Sequence, residues 1–195
     1  MGAVSAGPNA KAHCRKTVHG MLRIEIVQSG HLTPQDEAAI LDLCRRAYDE
    51  ELGQYFRDVG GGTHVMGYLD GKLVCHAMWV TRWLEPEGGP RLRTAYVELV
   101  ATDPAEQRKG YGSAVMRRLA ESIVDFDLGA LSPATAEIYA RLGWTFWRGP
   151  LSIRGPEGLI ASPEEEIMIL RLPRTPPLDV NGPLSADPRA GDEQW

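Results

Sequence analysis

Three strand-like segments follow one another near the middle of the chain, and no helical pattern separates them. The first two, at about 63–69 and 72–84, are joined by Asp70-Gly71, a pair that favours a two-residue hairpin turn. The third runs from about 91 to 102. Because consecutive antiparallel strands need no crossover helix, this order predicts a mixed, mostly antiparallel sheet and excludes a doubly wound parallel one.

Helical patterns flank this group of strands. Thr33, Pro34 and Asp36 offer an N-cap, a proline at the first helical position and an acid three residues after the cap. Apolar residues then recur at the spacing of one helix face, which predicts a helix to about residue 50: Ile40, Leu43, Cys44 and Ala47. The same spacing predicts a second helix after residue 110, with an apolar face formed by Val115, Leu119 and Ile123.

Shorter patterns complete the domain. A first strand is expected at about 22–27, and a strand, a helix and two more strands at about 127–131, 133–142, 144–148 and 166–172. The whole order is βαβββαβαββ. We therefore expect one α/β (α+β) domain over residues 21–172, with helices flanking a central sheet.

The two ends of the chain differ from this domain. Residues 1–20 are rich in Gly, Ala, Lys and His without an apolar core, which predicts a disordered leader rather than a secretory signal. Residues 173–188 hold five of the 14 prolines and should be extended. Because the chain then ends on Trp195, an unusual residue for a solvated tail, we expect the segment 173–195 to dock back onto the domain.

Composition and charge restrict the class of protein. A length of 195 residues with 43% hydrophobic and 24% charged residues is typical of one soluble domain. The net charge of −5 argues against a general nucleic-acid binder. No apolar run approaches the roughly 18 residues that a membrane span needs, so neither a nucleic acid nor a membrane is an expected partner.

The cysteine and histidine pattern argues against a disulfide framework and a metal site. Cys14, Cys44 and Cys75 are odd in number and widely spaced, and the last two have apolar neighbours. They are interpreted as buried thiols of a reducing compartment, which favours the cytoplasm. His64 and His76 are each isolated on a strand, so they are interpreted as core or surface histidines rather than metal ligands.

A glycine-containing loop carries the main chemical signal. It joins the apolar strand at 97–101 to the second helix and has the sequence Gln-Arg-Lys-Gly-Tyr-Gly at 107–112. Glycines let a backbone approach an anion, which the free N–H groups and dipole of the helix then bind, and Arg108 and Lys109 add positive charge. The loop lacks the ending of a Walker loop and the first glycine of a Rossmann fingerprint. An ordinary glycine turn that opens a helix is the alternative.

The order of strand, Asp103-Pro104 turn, Gln-x-x-Gly-x-Gly and amphipathic helix resembles the acetyl-coenzyme-A (acetyl-CoA) site of the GNAT acetyltransferases, and the element order extends the resemblance over about 22–172. The resemblance implies a GNAT fold with acetyl-CoA as cofactor. It also implies that the main chain of Val100, Ala101 and Thr102 binds the pantetheine like an added strand. The pyrophosphate would be bound by the backbone of Gln107, Arg108, Lys109, Gly110, Tyr111 and Gly112.

Several separated segments resemble more narrowly the aminoglycoside 2′-N-acetyltransferases: Ala-Tyr-Val-Glu at 95–98, Leu-Gly-Ala-Leu-Ser at 128–132, Tyr139-x-x-x-Gly143-Trp144 and Arg-Ala-Gly-Asp at 189–192. The chain departs from that family where Thr63 stands for a methionine, where Glu51 stands for an aspartate, and in a shorter segment before Tyr139. These departures bear on which drugs are accepted, and kasugamycin is one candidate. The resemblance also implies that the chain can form a homodimer.

Acetyl transfer to an amine needs a neutral amine, a polarised carbonyl and a protonated leaving thiolate. A carboxylate in an apolar strand can take the proton from an ammonium, and Glu98 has that position. The backbone amide near Val100 is the expected oxyanion donor, and the family implies that Tyr139 is the acid. The alternatives are an outward-facing strand residue for Glu98 and a core residue for Tyr139.

An aminoglycoside carries several ammonium groups, so carboxylates and carbonyls should line its site. The candidates for substrate binding are Glu51, Glu98, Leu99, Ser132, Glu164, Glu165, Asp192 and Trp195 with its terminal carboxylate. Ser132 is equally suited to cap a helix before Pro133, and 164–166 to form a solvated loop or a capped first helical turn. The rival functions are acetylation of a protein or polyamine amine and non-catalytic sensing of an acyl-CoA.

Overall fold

The computed structural model describes residues 20–189 and residue 195. Within that part of the chain there are four α-helices: α1 (Pro34–Tyr48), α2 (Gly53–Val59), α3 (Tyr111–Ser122) and α4 (Ala136–Ala140). The strands are β1 (Arg23–Gln28), β2 (Thr63–Leu69), β3 (Lys72–Pro86), β4 (Leu92–Thr102), β5 (Leu128–Leu131), β6 (Thr145–Phe146), β7 (Leu151–Gly155), β8 (Gly158–Ala161), β9 (Met168–Arg171) and β10 (Leu184–Ala186). None of these helices is long and apolar enough to cross a membrane.

The local signals at the first helix and the first hairpin are confirmed. The Thr33 side chain accepts a hydrogen bond from the Asp36 backbone, and the Asp36 carboxylate accepts one from the Thr33 backbone. Asp70 and Gly71 both have positive φ angles, of 50° and 83°, as the expected two-residue turn requires. These contacts fix the start of α1 and the register of β2 against β3.

The strands form one mixed sheet in the order β6-β9-β5-β4-β3-β10-β7-β8, and β2 and then β1 branch from β3. Only β4 with β5 and β10 with β7 are parallel among the described pairs. The expectation of a mixed, mostly antiparallel sheet is therefore confirmed. Helices α1 and α2 cover one face, and α3 and α4 cover the other, each over its own apolar cluster.

Strand β4 has two irregularities. Its pairing with β5 ends at Tyr96 opposite Ala130, although β4 itself continues to Thr102. Leu99 has a φ of 50°, and the register against β3 shifts there. The sheet consequently has an edge without a strand partner along the second half of β4, on the side of β5, and a β-bulge beside it.

Several elements differ from those expected. Helix α2 and strands β7, β8 and β10 were not predicted. The helix expected at 133–142 spans only 136–140, and its N-cap is Thr135, so the capping role considered for Ser132 is wrong. The segment 164–166 forms no helical turn and is part of the exposed loop between β8 and β9. Residues 1–19 of the leader expected at 1–20, and residues 190–194, lie outside the described part of the chain.

The C-terminal segment lies against the domain as far as the structure describes it. Strand β10 pairs with both β3 and β7, and the backbone N–H groups of Arg148 and Gly149 donate to the Val180 carbonyl. The Trp147 ring nitrogen donates to the Gly182 carbonyl at 2.8 Å. Trp195 is buried in the same apolar cluster as α1.

Candidate active site

Glu98 is a buried carboxylate in the middle of β4, and only 7% of the residue is exposed. The Tyr55 hydroxyl donates a hydrogen bond of 2.7 Å to one of its carboxylate oxygens, and the Arg189 guanidinium donates to the other. Arg189 also donates to the Tyr55 hydroxyl at 3.2 Å and to the backbone oxygen of Trp195 at 3.3 Å. The outward-facing alternative for Glu98 is therefore wrong, and α2, β4 and the C-terminal segment meet at this carboxylate.

The environment of Glu98 has opposing effects on its ionisation. Burial raises the pKa of the carboxyl because desolvation disfavours the charged form, whereas Arg189 and the Tyr55 hydrogen bond lower it. Burial is the larger effect, so the pKa of Glu98 is above its usual value. For Tyr55, burial and the adjacent carboxylate raise the pKa, which keeps its hydroxyl protonated as a donor.

A cleft of about 660 Å³ lies next to this cluster, and Arg189 belongs to both. It is bounded by the start of β2, the middle of β3, the end of α2 and residues 187–189. A volume of this size suits a small-molecule ligand. The charged side chains that line it are Arg82, Asp187 and Arg189, and Asp187 already forms ion pairs with Arg91 and Arg154.

Tyr48 contacts the unpaired edge of β4, and Tyr139 lies on α4. The Tyr48 hydroxyl donates a hydrogen bond of 2.7 Å to the Val100 carbonyl. Tyr139, on α4, is buried and packs edge-on against Trp144, with ring centroids 6.3 Å apart. Burial raises the pKa of Tyr139 to about 12, so its hydroxyl is protonated near neutral pH. Tyr139 and Glu98 also both raise the pKa of Tyr48, after the larger effect of burial.

The loop expected to bind the coenzyme is compatible with an anion at the start of α3. Gly110 is the N-cap of α3 with a φ of 87°, and no side chain caps the helix there. The loop is joined to the end of β4, because the Gln107 side chain donates to the Thr102 carbonyl at 3.4 Å. A Cβ at Gly112 would lie 2.8 Å from the Thr102 hydroxyl, so glycine permits this close approach. The backbone of 107–110 is exposed, with two basic side chains beside it, as a pyrophosphate would require.

The candidate acceptor residues are placed unevenly. Leu99 is buried and follows Glu98 in β4. Arg189 joins Trp195 to Glu98, because it donates to the backbone oxygen of Trp195 and to the Glu98 carboxylate. Glu51 is exposed just before α2, and Ser132 is exposed just after β5. Glu164 and Glu165 are exposed in the β8–β9 loop, and no described ion pair or hydrogen bond joins them to Glu98. Asp192 lies outside the described residues.

The two strand histidines are in contact with each other, so the expectation that each is isolated is wrong. His64 Nδ1 lies 3.0 Å from His76 Nε2, and both residues are fully buried. His76 Nδ1 lies 2.8 Å from the Leu99 carbonyl oxygen, and His64 Nε2 lies 2.9 Å from the Ser29 hydroxyl. No group of three or more potential ligands in the described part of the chain could hold a metal ion.

Sequence reasoning did not identify Tyr55, Arg189, Tyr48 or His76 as part of this site. A signal for Tyr55 was present, because Leu52, Tyr55, Phe56 and Val59 have helical spacing, and all four pack against the core. Arg189 carried no such local signal, since its role depends on where an extended segment returns to the sheet.

Comparison with known proteins identifies the family of this chain. The sequence matches the family model described as an acetyltransferase (GNAT) domain over residues 30–147. It is 34% identical over 139 residues to the aminoglycoside 2′-N-acetyltransferase of Mycolicibacterium fortuitum, and the match covers 68% of this chain and 71% of that protein.

Solved structures share the fold. The GNAT family N-acetyltransferase YhbS of Escherichia coli, solved in complex with CoA, has a TM-score of 0.56 at 16% identity and covers 89% of this chain and 93% of its own. Eis1 of Mycobacterium abscessus has a TM-score of 0.54 at 21% identity, over 68% of this chain and 32% of Eis1. The chain thus spans about a third of Eis1 and of two further structures that it matches.

Proposed function

This chain belongs to the GNAT acetyltransferases, whose donor is acetyl-CoA, and on that premise we propose that it acetylates the 2′-amino group of an aminoglycoside by direct transfer. The observation that carries the proposal is the buried Glu98 carboxylate, which holds a cationic group beside a cleft of small-molecule size. An ammonium group of the substrate could replace the Arg189 guanidinium on that carboxylate.

The first role in the reaction is that of a base. A substrate amine is protonated near neutral pH and cannot attack until it loses a proton. Glu98 takes that proton, directly or through a water molecule, and burial favours its protonated form once it has done so. Tyr55 remains hydrogen-bonded to the carboxyl and holds its orientation.

The other roles belong to residues along the unpaired edge of β4. When bound, acetyl-CoA supplies a thioester carbonyl that the amine attacks and a thiolate that leaves. The backbone N–H of Val100 donates a hydrogen bond to the carbonyl oxygen. The Tyr139 hydroxyl gives its proton to the leaving sulfur. The nitrogen loses a second proton as the amide forms, and that proton restores the Tyr139 hydroxyl.

Binding of the two substrates is assigned to separate parts of the chain. The backbone of Val100, Ala101 and Thr102 and the loop 107–112 hold the coenzyme. The cleft holds the aminoglycoside, whose ammonium groups contact Glu98 and the backbone oxygen of Trp195. Further contacts are assigned to Glu51, Leu99, Ser132, Glu164, Glu165 and Asp192, whose carboxylate and hydroxyl groups or carbonyls accept hydrogen bonds from ammonium groups.

The test is a thiol-release assay with acetyl-CoA and a panel of acceptors. The panel contains aminoglycosides with a 2′-amino group, matched aminoglycosides with a 2′-hydroxyl group, kasugamycin, spermidine and a peptide with a free N-terminus. The proposal expects release with the first group and not with its 2′-hydroxyl counterparts. Release with spermidine or the peptide alone would show an acetyltransferase of different specificity. Coenzyme binding without release for any amine would favour a sensor.

A further inference from the structure

We propose that His76 is a positioning residue for acetyl transfer, because it anchors the peptide group between Leu99 and Val100 and thereby aims the Val100 N–H at the reacting carbonyl. The anchoring hydrogen bond is short, at 2.8 Å between His76 Nδ1 and the Leu99 oxygen. The inference depends on GNAT acetyl transfer and not on which amine accepts the acetyl group.

The Leu99 carbonyl of β4 sets the direction of the hydrogen bonds of His76 and His64. A carbonyl oxygen can only accept, so His76 Nδ1 carries the proton and donates it to Leu99. Neutral His76 then has a free lone pair on Nε2, which accepts from His64 Nδ1–H at 3.0 Å. His64 Nε2 then carries a lone pair and lies 2.9 Å from the Ser29 hydroxyl, whose single proton also has the Gly62 carbonyl oxygen as an acceptor at 3.1 Å. One tautomer of each ring is consequently selected.

Both rings remain neutral in the buried site. Desolvation lowers the pKa of His76 to about 3 and that of His64 to about 4, because the charged forms are disfavoured away from water. The selected tautomers therefore persist over the neutral pH range. Ser29 is held as well, since it accepts a hydrogen bond from the Gly62 backbone at 2.8 Å.

The anchored peptide group is the one that contains the expected oxyanion donor. The C=O of Leu99 and the N–H of Val100 belong to the same peptide, and no peptide in the described part of the chain is cis. In a trans peptide these two groups point in opposite directions. A C=O directed at His76, on β3, therefore directs the N–H away from β3 and toward the edge that β5 leaves unpaired.

The bulge explains why this peptide requires an anchor. Leu99 and Val100 together oppose the single residue Ala77 of β3, so regular ladder hydrogen bonds cannot hold the peptide. The φ of 50° at Leu99 lies in the left-handed region, which is unfavourable for a residue with a β-carbon. A buried hydrogen bond to the Leu99 carbonyl stabilises this conformation and also increases the polarity of the attached N–H.

Two substitutions separate this role from simple core packing. His76→Asn places an amide N–H near the position of Nδ1 and can still donate to the Leu99 carbonyl. His76→Gln places its amide near the position of Nε2, where it can form a hydrogen bond with His64 but not with Leu99. Both variants lose ring volume, so both should lose thermal stability to a similar extent. His64→Asn, which keeps its donor toward His76, is the matched control.

The readouts are kcat, the Kd for acetyl-CoA and the carbonyl stretching frequency of bound acetyl-CoA labelled with ¹³C at the acetyl carbonyl. We expect wild-type protein to lower that frequency relative to free acetyl-CoA, and His76→Asn and His64→Asn to retain the shift. His76→Gln should lose the shift and lower kcat by about 10- to 100-fold, below the loss typical of removing an oxyanion donor outright. The Kd for acetyl-CoA should change by no more than about twofold, which is less than about 0.5 kcal/mol.

Three results would overturn the proposal. The first is a wild-type protein that does not shift the carbonyl frequency, and the second is a His76→Gln variant that keeps both the shift and kcat. The third is a parallel fall of kcat in His76→Asn and His76→Gln that follows their melting temperatures, because a purely structural role predicts it. The infrared measurement needs no amine, so a failure of the proposed aminoglycoside activity would leave this test intact.

Discussion

The Arg189 guanidinium is hydrogen-bonded to the Glu98 carboxylate, although the two residues are 91 positions apart in the chain. Their side chains are only 13% and 8% exposed, so the pair lies where isolated charges are unfavourable. The carboxylate that we assign as the base is therefore held ionised by a residue of the C-terminal segment. A substrate ammonium must compete with Arg189 or bind beside it.

Replacing Arg189 by Gln should move the acid limb of the pH profile of kcat/KM to higher pH. Arg189 lowers the pKa of Glu98, so its removal raises that pKa, and the base becomes protonated at a higher pH than in the wild type. The measurement is the pH dependence of kcat/KM, with Arg91→Gln, an exposed ion-pair partner of Asp187, as the control. An acid limb that stays in place or moves to lower pH contradicts the assignment of Glu98.

Glu98→Gln should lower kcat by about 100-fold, the usual contribution of a general base. The introduced amide would keep hydrogen-bonding groups near Tyr55 and Arg189 but could not take a proton. Steady-state kinetics at neutral pH measure the effect, and Glu87→Gln in an exposed turn serves as the control. Full activity with an unchanged pH profile would mean that another group is the base.

Gly110→Ala should weaken acetyl-CoA binding by about three- to tenfold, or roughly 1 kcal/mol. The φ of Gly110 is 87° and disfavours any other residue, so the substitution shifts the backbone that is assigned to the pyrophosphate. Gly71→Ala is a matched control, because its φ is 83° and both positions have open space around an added Cβ. Calorimetric titration should show normal affinity for Gly71→Ala; equal losses in both would point to general destabilisation.

Tyr139→Phe should lower kcat by about 10- to 100-fold while coenzyme affinity and melting temperature stay close to wild type. The ring keeps its edge-on contact with Trp144, and only the proton donor is lost. Tyr68→Phe, which removes a hydroxyl that donates to the Met66 sulfur, is the control. If turnover is unaffected, the role of Tyr139 is confined to packing.

The histidine pair should make the protein less stable as the pH falls. The pKa values of His64 and His76 are lowered to about 4 and 3 in the folded state, so below pH 6.5 the unfolded chain binds protons that the folded chain does not. Each histidine should then remove roughly 2 kcal/mol of unfolding free energy between pH 6.5 and pH 5. Denaturant unfolding at several pH values measures this slope.

The control for the pH dependence is the exposed His31. His31→Gln should keep the wild-type slope, whereas His64→Asn, which removes one titrating ring, should flatten it. Glu98, with its raised pKa, acts in the opposite sense, and because it is present in all three proteins its contribution cancels when their slopes are compared. Equal slopes in all three proteins would show that the rings are accessible to protons in the folded state.

Elements with strong local signals could be predicted from the sequence. The capping box of α1, the Asp70-Gly71 turn and the strand, loop and helix around Gly110 each depend on residues within a few positions of one another. The loop was also specific enough to indicate acetyl-CoA. The apolar strand around Glu98 allowed a buried carboxylate but left an outward-facing residue as the alternative, which the structure decides.

The contacts of the site could not be predicted in the same way. Arg189 meets Glu98 only because β10 returns the chain between β3 and β7, and a three-residue strand has no detectable periodicity. His64 and His76 face each other because of the β2–β3 register, which pairs Met66 with His76 and His64 with Met78. Short elements and diagonal contacts depend on tertiary packing, which local patterns do not encode.

The parts of this site differ in how far apart along the sequence their contacting residues lie. The coenzyme loop joins β4 to the helix that follows it at once, whereas the Glu98 cluster needs Tyr55 and Arg189, 43 and 91 positions away. Closing longer loops costs more conformational entropy and slows folding. During refolding, affinity for the coenzyme should therefore return before acetyl transfer does. An intermediate that binds coenzyme but does not acetylate amines would be a chain whose C-terminal segment has not yet docked on the sheet.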